Sequence, residues 1–432
     1  MLAEAKTATG RLAERLGDAR QRTDDLFAIV RPDSLYERPI PERHRIVFYI
    51  GHLEAFDWNL LRERVLDQRA FDPELDRLFA FGIDPVDGGL PTDKVSDWPS
   101  MDIVQRYVGH VRQRLDSALP KVLSDSLNSD AHQLLNVAVE HRLMHAETLA
   151  YMLHQMPADR KLAPSGRPEP IVPPFTPTVV KIPSGSISMG LRRSDNGSFG
   201  WDNEYEAHEV GVPAFAIDKY KVSNRQYLEF VDAGGYDEPL LWTAADWQWR
   251  KQQDISHPVF WRKSGNTWLY RTMFGEIPLP MDWPVYVSHA EAAAFARWAG
   301  KSLPTEEQWQ LAAYGNNNHG RTTAPDSLAG NFDFERWDPV SVASPHQTES
   351  FFGVAGMFGN GWEWTSSVFG PFPGFEAFSF YPGYSANFFD GQHYVMKGGS
   401  ARTAACMMRP SFRNWFQSHY QYVYAGFRCV IH

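Results

Sequence analysis

The first 160 residues contain four segments in which the hydrophobic and polar positions follow the 3.6-residue period of an amphipathic helix. In each segment the positions of one face recur every three or four residues, and charged residues fill much of the sequence between them. Those positions are Leu12, Leu16, Ala19, Thr23 and Leu26, then Ile46, Ile50, Leu53, Phe56 and Leu60, then Val104, Tyr107, Val108, Val111 and Leu115, and finally Leu134, Val137, His141, Met144, Thr148 and Met152. Four such segments predict a four-helix bundle over residues 1–160.

The pattern changes near residue 165, because 25 of the 32 glycines and 13 of the 15 tryptophans follow Ser165. Residues 161–178 contain six prolines and predict an extended linker. Beyond it, residues 179–432 show short apolar runs. Capping boxes predict helices that begin at Ser288 and at Thr305. We therefore expect a multidomain chain in which a helical domain precedes an irregular α+β domain.

Composition narrows the possible partners. The chain has 42 Lys and Arg against 52 Asp and Glu, a net charge of −10, which argues against nucleic acid. The first 20 residues contain no secretory apolar core, and no apolar run approaches the ~18 residues of a membrane helix. We expect a cytoplasmic protein with no membrane partner, and the sequence leaves open whether it forms a homo-oligomer.

Three histidines are the candidate metal ligands. His141 and His145 are four residues apart in the fourth helical segment, so both imidazoles leave one face of the helix a turn apart. His52 lies in the second segment and is the predicted third ligand. A hydrogen-bonded or surface pair is the alternative interpretation. Arg142 excludes the HExxH motif of zinc proteases, and three neutral ligands suit either catalytic zinc or non-haem Fe(II).

The second half resembles the formylglycine-generating-enzyme/sulfatase-modifying domain. The matching segments, in chain order, are Ile187–Gly190, Glu204–Val210, Phe215–Ile217, Val222–Tyr227, Trp298–Trp309, Gly359–Thr365, Lys397–Ser400 and Gly426–Arg428. The resemblance implies a C-type-lectin-like fold. It does not supply the chemistry, because Cys406 and Cys429 do not match the cysteine pair of the formylglycine-generating enzymes.

The combination of the two halves indicates a more specific family than the second half alone. A DinB-like bundle with His52 and His141-x3-His145, joined to a second domain that contains Asn414-Trp415, resembles the ergothioneine-biosynthesis sulfoxide synthases. The resemblance implies that the three histidines hold Fe(II). It also implies that O2 is used to join a thiol sulfur to the imidazole of hercynine and to form the sulfoxide.

The same resemblance assigns the substrate residues. Asn414 and Trp415 match family positions at the hercynine site, and Phe375 and Phe416 extend an aromatic wall that suits a permanent cation. Met144 is also a candidate substrate contact, because it stands where the actinobacterial members have a glutamine directly before the second metal histidine.

Departures from the family pattern concern the thiol donor. Phe416 and Tyr420 stand where the actinobacterial members have an Asp and an Arg that hold γ-glutamylcysteine. The segment that carries a further Arg in that branch is replaced by Ile83–Gly89. A charged dipeptide would bind poorly without these partners, so free cysteine is the first expectation and γ-glutamylcysteine the second.

A final departure concerns the proton donor. Phe372 stands where the actinobacterial members place a tyrosine near the iron, and we expect Tyr420 or Tyr422 to serve instead. Two alternatives follow. One is an iron thiol dioxygenase, or a C–S or C–Se bond-forming relative with another donor, and the other is a metal-stabilised binding protein without turnover.

Overall fold

The computed structural model describes residues 2–80, 91–123, 129–163, 175–194, 199–315, 330–344 and 348–431. Two compact units, Met1–Pro164 and Ser165–His432, make up the chain. The segment Ile83–Gly89 and most of the predicted proline-rich linker lie outside the described residues. No helix in the described ranges is both long and apolar enough to cross a bilayer.

Four long helices of the first unit coincide with the four predicted segments. They are α1 (Leu2–Ala28), α2 (Ile46–Leu61), α4 (Met101–Leu123) and α5 (Ser129–His154), and the short helix α3 (Pro73–Leu78) lies in the connection between α2 and α4. Helix α1 packs against α5, and α2 packs against both α4 and α5. Helix α2 is buried on almost every side, which places its polar residues inside the bundle.

Helix α3 was not predicted from the sequence. It has only six residues, too few to show an apolar period. Asp72 caps its N-terminus by accepting a hydrogen bond from the main-chain N–H of Leu75 at 3.1 Å, and Pro73 occupies the first helical position. The chain leaves α3 at Phe79, whose side chain is fully buried.

The second unit is an α+β structure with short elements, as predicted. Its helices are α6 (Asn224–Asp232), α7 (Ala244–Gln252), α8 (His289–Trp298), α9 (Glu306–Tyr314) and α10 (Gly383–Ala386). Its strands are β1 (Val179–Ile182), β2 (Gly185–Met189), β3 (His208–Val212), β4 (Phe215–Asp218), β5 (Trp261–Ser264), β6 (Thr267–Arg271), β7 (Glu276–Pro278), β8 (Trp362–Val368), β9 (His393–Lys397), β10 (Asn414–Gln417), β11 (Ala425–Gly426) and β12 (Val430–Ile431). The sheet orders are β1-β4-β12, β10-β9-β8-β11, β2-β3 and β5-β6-β7.

The helix starts of the second unit follow their capping boxes. Ser288 and Thr305 cap α8 and α9, which confirms both predicted starts. Ser223 caps α6 with a third capping box that was not predicted from the sequence, and Thr243 caps α7. Local side-chain to main-chain hydrogen bonds therefore define these short helices, as expected for elements with little apolar period of their own.

A buried ion cluster joins two of the family-like motifs in the core of this unit. Arg428 donates to both carboxylate oxygens of Glu363, at 2.6 and 2.9 Å, and Lys221 donates to the same carboxylate at 2.7 Å. All three side chains are buried. These residues have a structural role, because the ion pairs hold β8 to the segment between β11 and β12.

Candidate metal centre

The three predicted histidines converge inside the helical unit. His52 extends from α2, and His141 and His145 extend from α5. One ligand nitrogen from each ring lies within 4.8 Å of the other two. The Nε2 atoms of His141 and His145 are 3.1 Å apart. The three side chains are only 2–4% exposed, so bulk water does not solvate them.

The orientation of His52 is set by the connection that follows α2. Its Nδ1 donates a 2.7 Å hydrogen bond to the main-chain carbonyl of Phe79. This bond leaves Nε2 with a free lone pair, and that atom has no hydrogen-bond partner within the described ranges. A metal-binding imidazole is commonly fixed through its other ring nitrogen in this way.

Burial keeps the three rings neutral. It lowers the pKa of His52 to about 4. Burial first, and then the neighbouring histidines, lower the pKa values of His141 and His145 well below the ordinary value. At neutral pH all three rings therefore offer lone pairs without first losing a proton, and this donor set fits a divalent transition metal.

Aromatic rings cover the cluster on the side of α2. Phe56 stacks on His141 with ring centres 3.4 Å apart, and Phe48 stacks on His52 at 4.8 Å. Met144, the residue before His145, is half-buried on α5. Phe56 lies closer to His141 than to His52, its neighbour on α2, so it restricts the ring of a residue on another helix.

The second unit contains an aromatic cluster around Trp415. Its ring stacks on Phe369 with centres 4.0 Å apart and an interplanar angle of 6°. Phe375 reaches the same cluster through Phe389, whose ring lies 5.0 Å from both Phe375 and Phe369. Tyr384 contacts Trp415 edge-on at 5.5 Å. The structure therefore brings together two of the predicted aromatic residues, Trp415 and Phe375.

Phe416 belongs to a different row of rings. Side chains alternate along β10, so Asn414 and Phe416 face one side of the strand and Trp415 faces the other. Phe416 stacks on Tyr420 at 5.0 Å, and Tyr420 meets Tyr422 edge-on at 5.4 Å. The side-chain oxygen of Asn414 accepts a 2.9 Å hydrogen bond from the N–H of Trp415.

Phe372, which stands at the expected tyrosine position, packs under a cation. The guanidinium carbon of Arg413 lies 4.0 Å from the centre of its ring. Arg413 in turn forms a bidentate ion pair with Glu306, with N···O distances of 2.9 and 3.0 Å. This half-buried phenylalanine therefore has a packing role in the second unit.

Comparison with known proteins follows this division of the chain. Residues 168–432 match the sulfatase-modifying factor enzyme 1-like domain, and residues 15–149 match the DinB superfamily. The hercynine oxygenase of Mycolicibacterium thermoresistibile is 34% identical over 96% of this chain and 94% of its own length. The hercynine oxygenase of Mycolicibacterium smegmatis is 31% identical over 96% and 97%. The chain belongs to the hercynine oxygenase family. A fungal relative, the ergothioneine biosynthesis protein 1 of Neurospora crassa, is 28% identical over 92% of this chain and 55% of its own length.

Membership of the hercynine oxygenase family confirms the predicted combination of a DinB bundle and a sulfatase-modifying domain. Two features of the metal centre were not predicted from the sequence. One is the carbonyl of Phe79, which orients His52. The other is Gly51, where an added β-carbon would lie 2.5 Å from the ring of Phe79. A glycine inside an otherwise apolar helix, directly before a candidate ligand, was the available indication of a close approach.

Proposed function

We propose that this member of the hercynine oxygenase family is a non-haem Fe(II), O2-dependent sulfoxide synthase. It joins the sulfur of cysteine, or of γ-glutamylcysteine, to the imidazole of hercynine in ergothioneine biosynthesis. The observation that carries the proposal is the convergence of three buried, neutral imidazoles from two helices. The names of the two Mycolicibacterium relatives support hercynine as the substrate. The cytoplasmic location and the oligomeric state stay predictions.

Fe(II) would be held by His52, His141 and His145. When bound, the ion would supply one-electron redox chemistry with O2. The protein contributes a dry site in which the rings are already neutral. It also fixes one ring in advance through the hydrogen bond from His52 to Phe79.

Hercynine would be recognised through its permanent trimethylammonium cation, which no pH change can neutralise. The aromatic cluster of Trp415 and Phe375 suits such a cation, because the negative faces of aromatic rings attract it. The side chain of Asn414 is half-buried at the start of the same strand, on the face opposite to Trp415. Its amide group is therefore assigned to a neutral part of the substrate, away from the cation.

The donor is proposed to be free cysteine. Phe416 and Tyr420 stack on each other with centres 5.0 Å apart, so the two positions at which the actinobacterial members have Asp and Arg are neighbours here. Two neutral rings at these positions cannot form ion pairs with the α-amino and α-carboxylate groups of a γ-glutamyl substrate. Met144, another uncharged side chain, stands beside His145 in place of a polar glutamine.

Tyr420 and Tyr422 are the proposed proton donors. Phe372 has no ionisable group, and its ring already contacts the guanidinium of Arg413. A tyrosine hydroxyl can donate a proton during sulfur transfer, and the edge-on contact between Tyr420 and Tyr422 places both hydroxyl-bearing rings in one row. Without such a donor the reaction would shift towards oxygenation of the thiol.

The test is anaerobic reconstitution with Fe(II), followed by parallel assays of hercynine with cysteine and with γ-glutamylcysteine. We expect O2 consumption and a product whose mass corresponds to the sulfoxide conjugate. A cysteine sulfinate product would favour the thiol dioxygenase alternative. Absence of O2 consumption would favour a binding protein.

A variant pair connects this activity to the histidines. His141→Ala should lose bound iron and turnover together. His132→Ala, on the same helix and outside the cluster, should keep both. Turnover that survives in His141→Ala would remove the proposed site.

A further inference from the structure

A buried arginine links the two helices that carry the histidines. Arg142 is the residue after His141 on α5, and its side chain is 1% exposed. Its Nη2 donates to the main-chain carbonyl of Leu53 at 3.0 Å and to the carboxylate of Asp57 at 2.7 Å. Its Nη1 donates to the carboxylate of Glu54 at 3.1 Å. All three acceptors lie on α2.

The positions of these acceptors matter for the metal centre. Leu53 and Glu54 directly follow His52 on α2, and Arg142 directly follows His141 on α5. The hydrogen bonds of Arg142 therefore connect the chain next to His52 with the chain next to His141. A guanidinium is planar and donates in fixed directions, which sets both the rotation and the height of α5 relative to α2. These are the two variables that determine how far the ring of His52 lies from those of His141 and His145.

We propose that Arg142 is a positioning residue that fixes the register between α2 and α5 and thereby preorganises the three histidines for a metal ion. The inference rests on the proposed metal centre, but not on iron or on sulfoxide synthesis. It goes beyond the assignment of ligands, because Arg142 contributes no atom to the ion.

Buried charges restrict how far α5 can shift relative to α2, because an unpaired buried charge is unfavourable. The carboxylates of Glu54 and Asp57 are 0–1% exposed, and a shift of α5 along α2 would move Arg142 away from both. Asp57 would lose the cation that donates to it, and Glu54 would keep only Arg112. An isolated charge in the interior is strongly unfavourable, whereas the paired arrangement tolerates little change in geometry. The alternative registers of the two helices are therefore disfavoured.

Arg112 provides a matched control. It lies on α4 and donates to the same carboxylate of Glu54 at 2.9 Å. It also forms a bidentate ion pair with Asp24 of α1, at 2.7 and 2.8 Å. Arg112 therefore neutralises the same acid but joins helices other than the α2–α5 pair. A lysine variant at this position changes a cation that pairs with Glu54 but leaves the α2–α5 connection through Arg142 intact.

The experiment compares full-length wild type, Arg142→Lys and Arg112→Lys. Each is titrated with Co²⁺ while its d–d absorption spectrum is recorded, and urea unfolding of the metal-free form measures stability separately. Lysine keeps the positive charge but replaces the fork with a single flexible donor group. We expect Arg142→Lys to bind Co²⁺ about 10-fold or more weakly, with an altered spectrum, and Arg112→Lys to stay within about 2-fold of wild type.

The outcomes are distinct. Equal Co²⁺ affinity and equal spectra in wild type and Arg142→Lys would overturn this inference alone. Wild type that binds no Co²⁺ would overturn the metal centre and this inference with it. Wild type that binds Co²⁺ but forms no sulfoxide would contradict only the proposed reaction. Should Arg142→Lys not fold, the charge-balanced double variant Arg142→Gln, Asp57→Asn takes its place with the same expected loss of affinity.

Discussion

Gly51 and Phe79 are in direct contact in a way that only glycine allows. A β-carbon at Gly51 would lie 2.5 Å from three atoms of the Phe79 ring. Because the ring is fully buried, it has little room to move away. The same residue, Phe79, presents the carbonyl that accepts the hydrogen bond from His52, so this close approach sets the orientation of a candidate metal ligand.

Gly51→Ala should therefore damage both packing and metal binding. We expect a loss of about 1–3 kcal/mol in the free energy of unfolding, the usual cost of an overfilled core, and weaker Co²⁺ binding as the carbonyl of Phe79 is displaced. Urea unfolding and Co²⁺ titration measure the two effects.

Gly109→Ala is the control, because nothing lies within 4 Å of a β-carbon at this exposed position of α4. It should stabilise the helix by about 0.5–1 kcal/mol. If Gly51→Ala behaved like Gly109→Ala, the proposed close packing would be wrong.

The metal histidines could be predicted from the sequence, whereas the Phe79 carbonyl and the contact between Gly51 and Phe79 could not. His141 and His145 share a helix, so their proximity follows from the period of that helix alone, and the apolar face of α2 placed His52 inward. The partner of His52 is different, because it depends on the path of a connection with little regular structure. The contacts of Trp415 are similar in kind, since Phe369 and Phe389 lie on irregular segments whose positions follow from tertiary packing.

His289 should make the stability of the second unit depend on pH. Burial lowers its pKa to about 3, and its Nε2 has no hydrogen-bond partner in the described part of the chain. As the pH falls below about 6.5, the unfolded chain takes up a proton at this position while the folded protein does not. The folded state therefore loses stability between pH 6.5 and about 3, by up to about 1.4 kcal/mol per pH unit for this one group.

His289→Phe is the variant that isolates this effect. Phenylalanine can keep the stacking on Tyr394, where the ring centres are 3.6 Å apart, but it does not titrate. Urea unfolding of both proteins at about pH 7.5, 6 and 5 should show the wild type losing stability relative to the variant as the pH falls. A constant difference at all three pH values would mean that His289 becomes protonated as easily in the folded state as in the unfolded chain.

Trp415→Leu should weaken hercynine binding without affecting the metal. Its indole stacks on Phe369 within the aromatic cluster, and loss of a cation–π contact costs about 1–2 kcal/mol, equivalent to about a 5- to 30-fold rise in KM for hercynine. Steady-state kinetics and Co²⁺ titration give the two quantities. Phe351→Leu, at a ring that is 59% exposed, is expected to leave both unchanged. An unchanged KM in Trp415→Leu would exclude this cluster from hercynine recognition.

The choice of thiol donor should be reversible by two substitutions. Phe416 and Tyr420 are stacked neighbours, so Phe416→Asp combined with Tyr420→Arg would place a carboxylate and a guanidinium side by side. Charge-assisted hydrogen bonds to a dipeptide then become available, while the stack of two neutral rings is lost. We expect wild type to have a higher kcat/KM with cysteine than with γ-glutamylcysteine. The double variant should move the ratio of the two kcat/KM values towards γ-glutamylcysteine by about 10-fold or more.

Because Tyr420 is also a candidate proton donor, the single variant Tyr420→Phe is assayed beside the double variant. A drop in kcat for both thiols in Tyr420→Phe would assign the hydroxyl to catalysis, and an unchanged donor ratio in the double variant would show that these two positions do not contact the thiol.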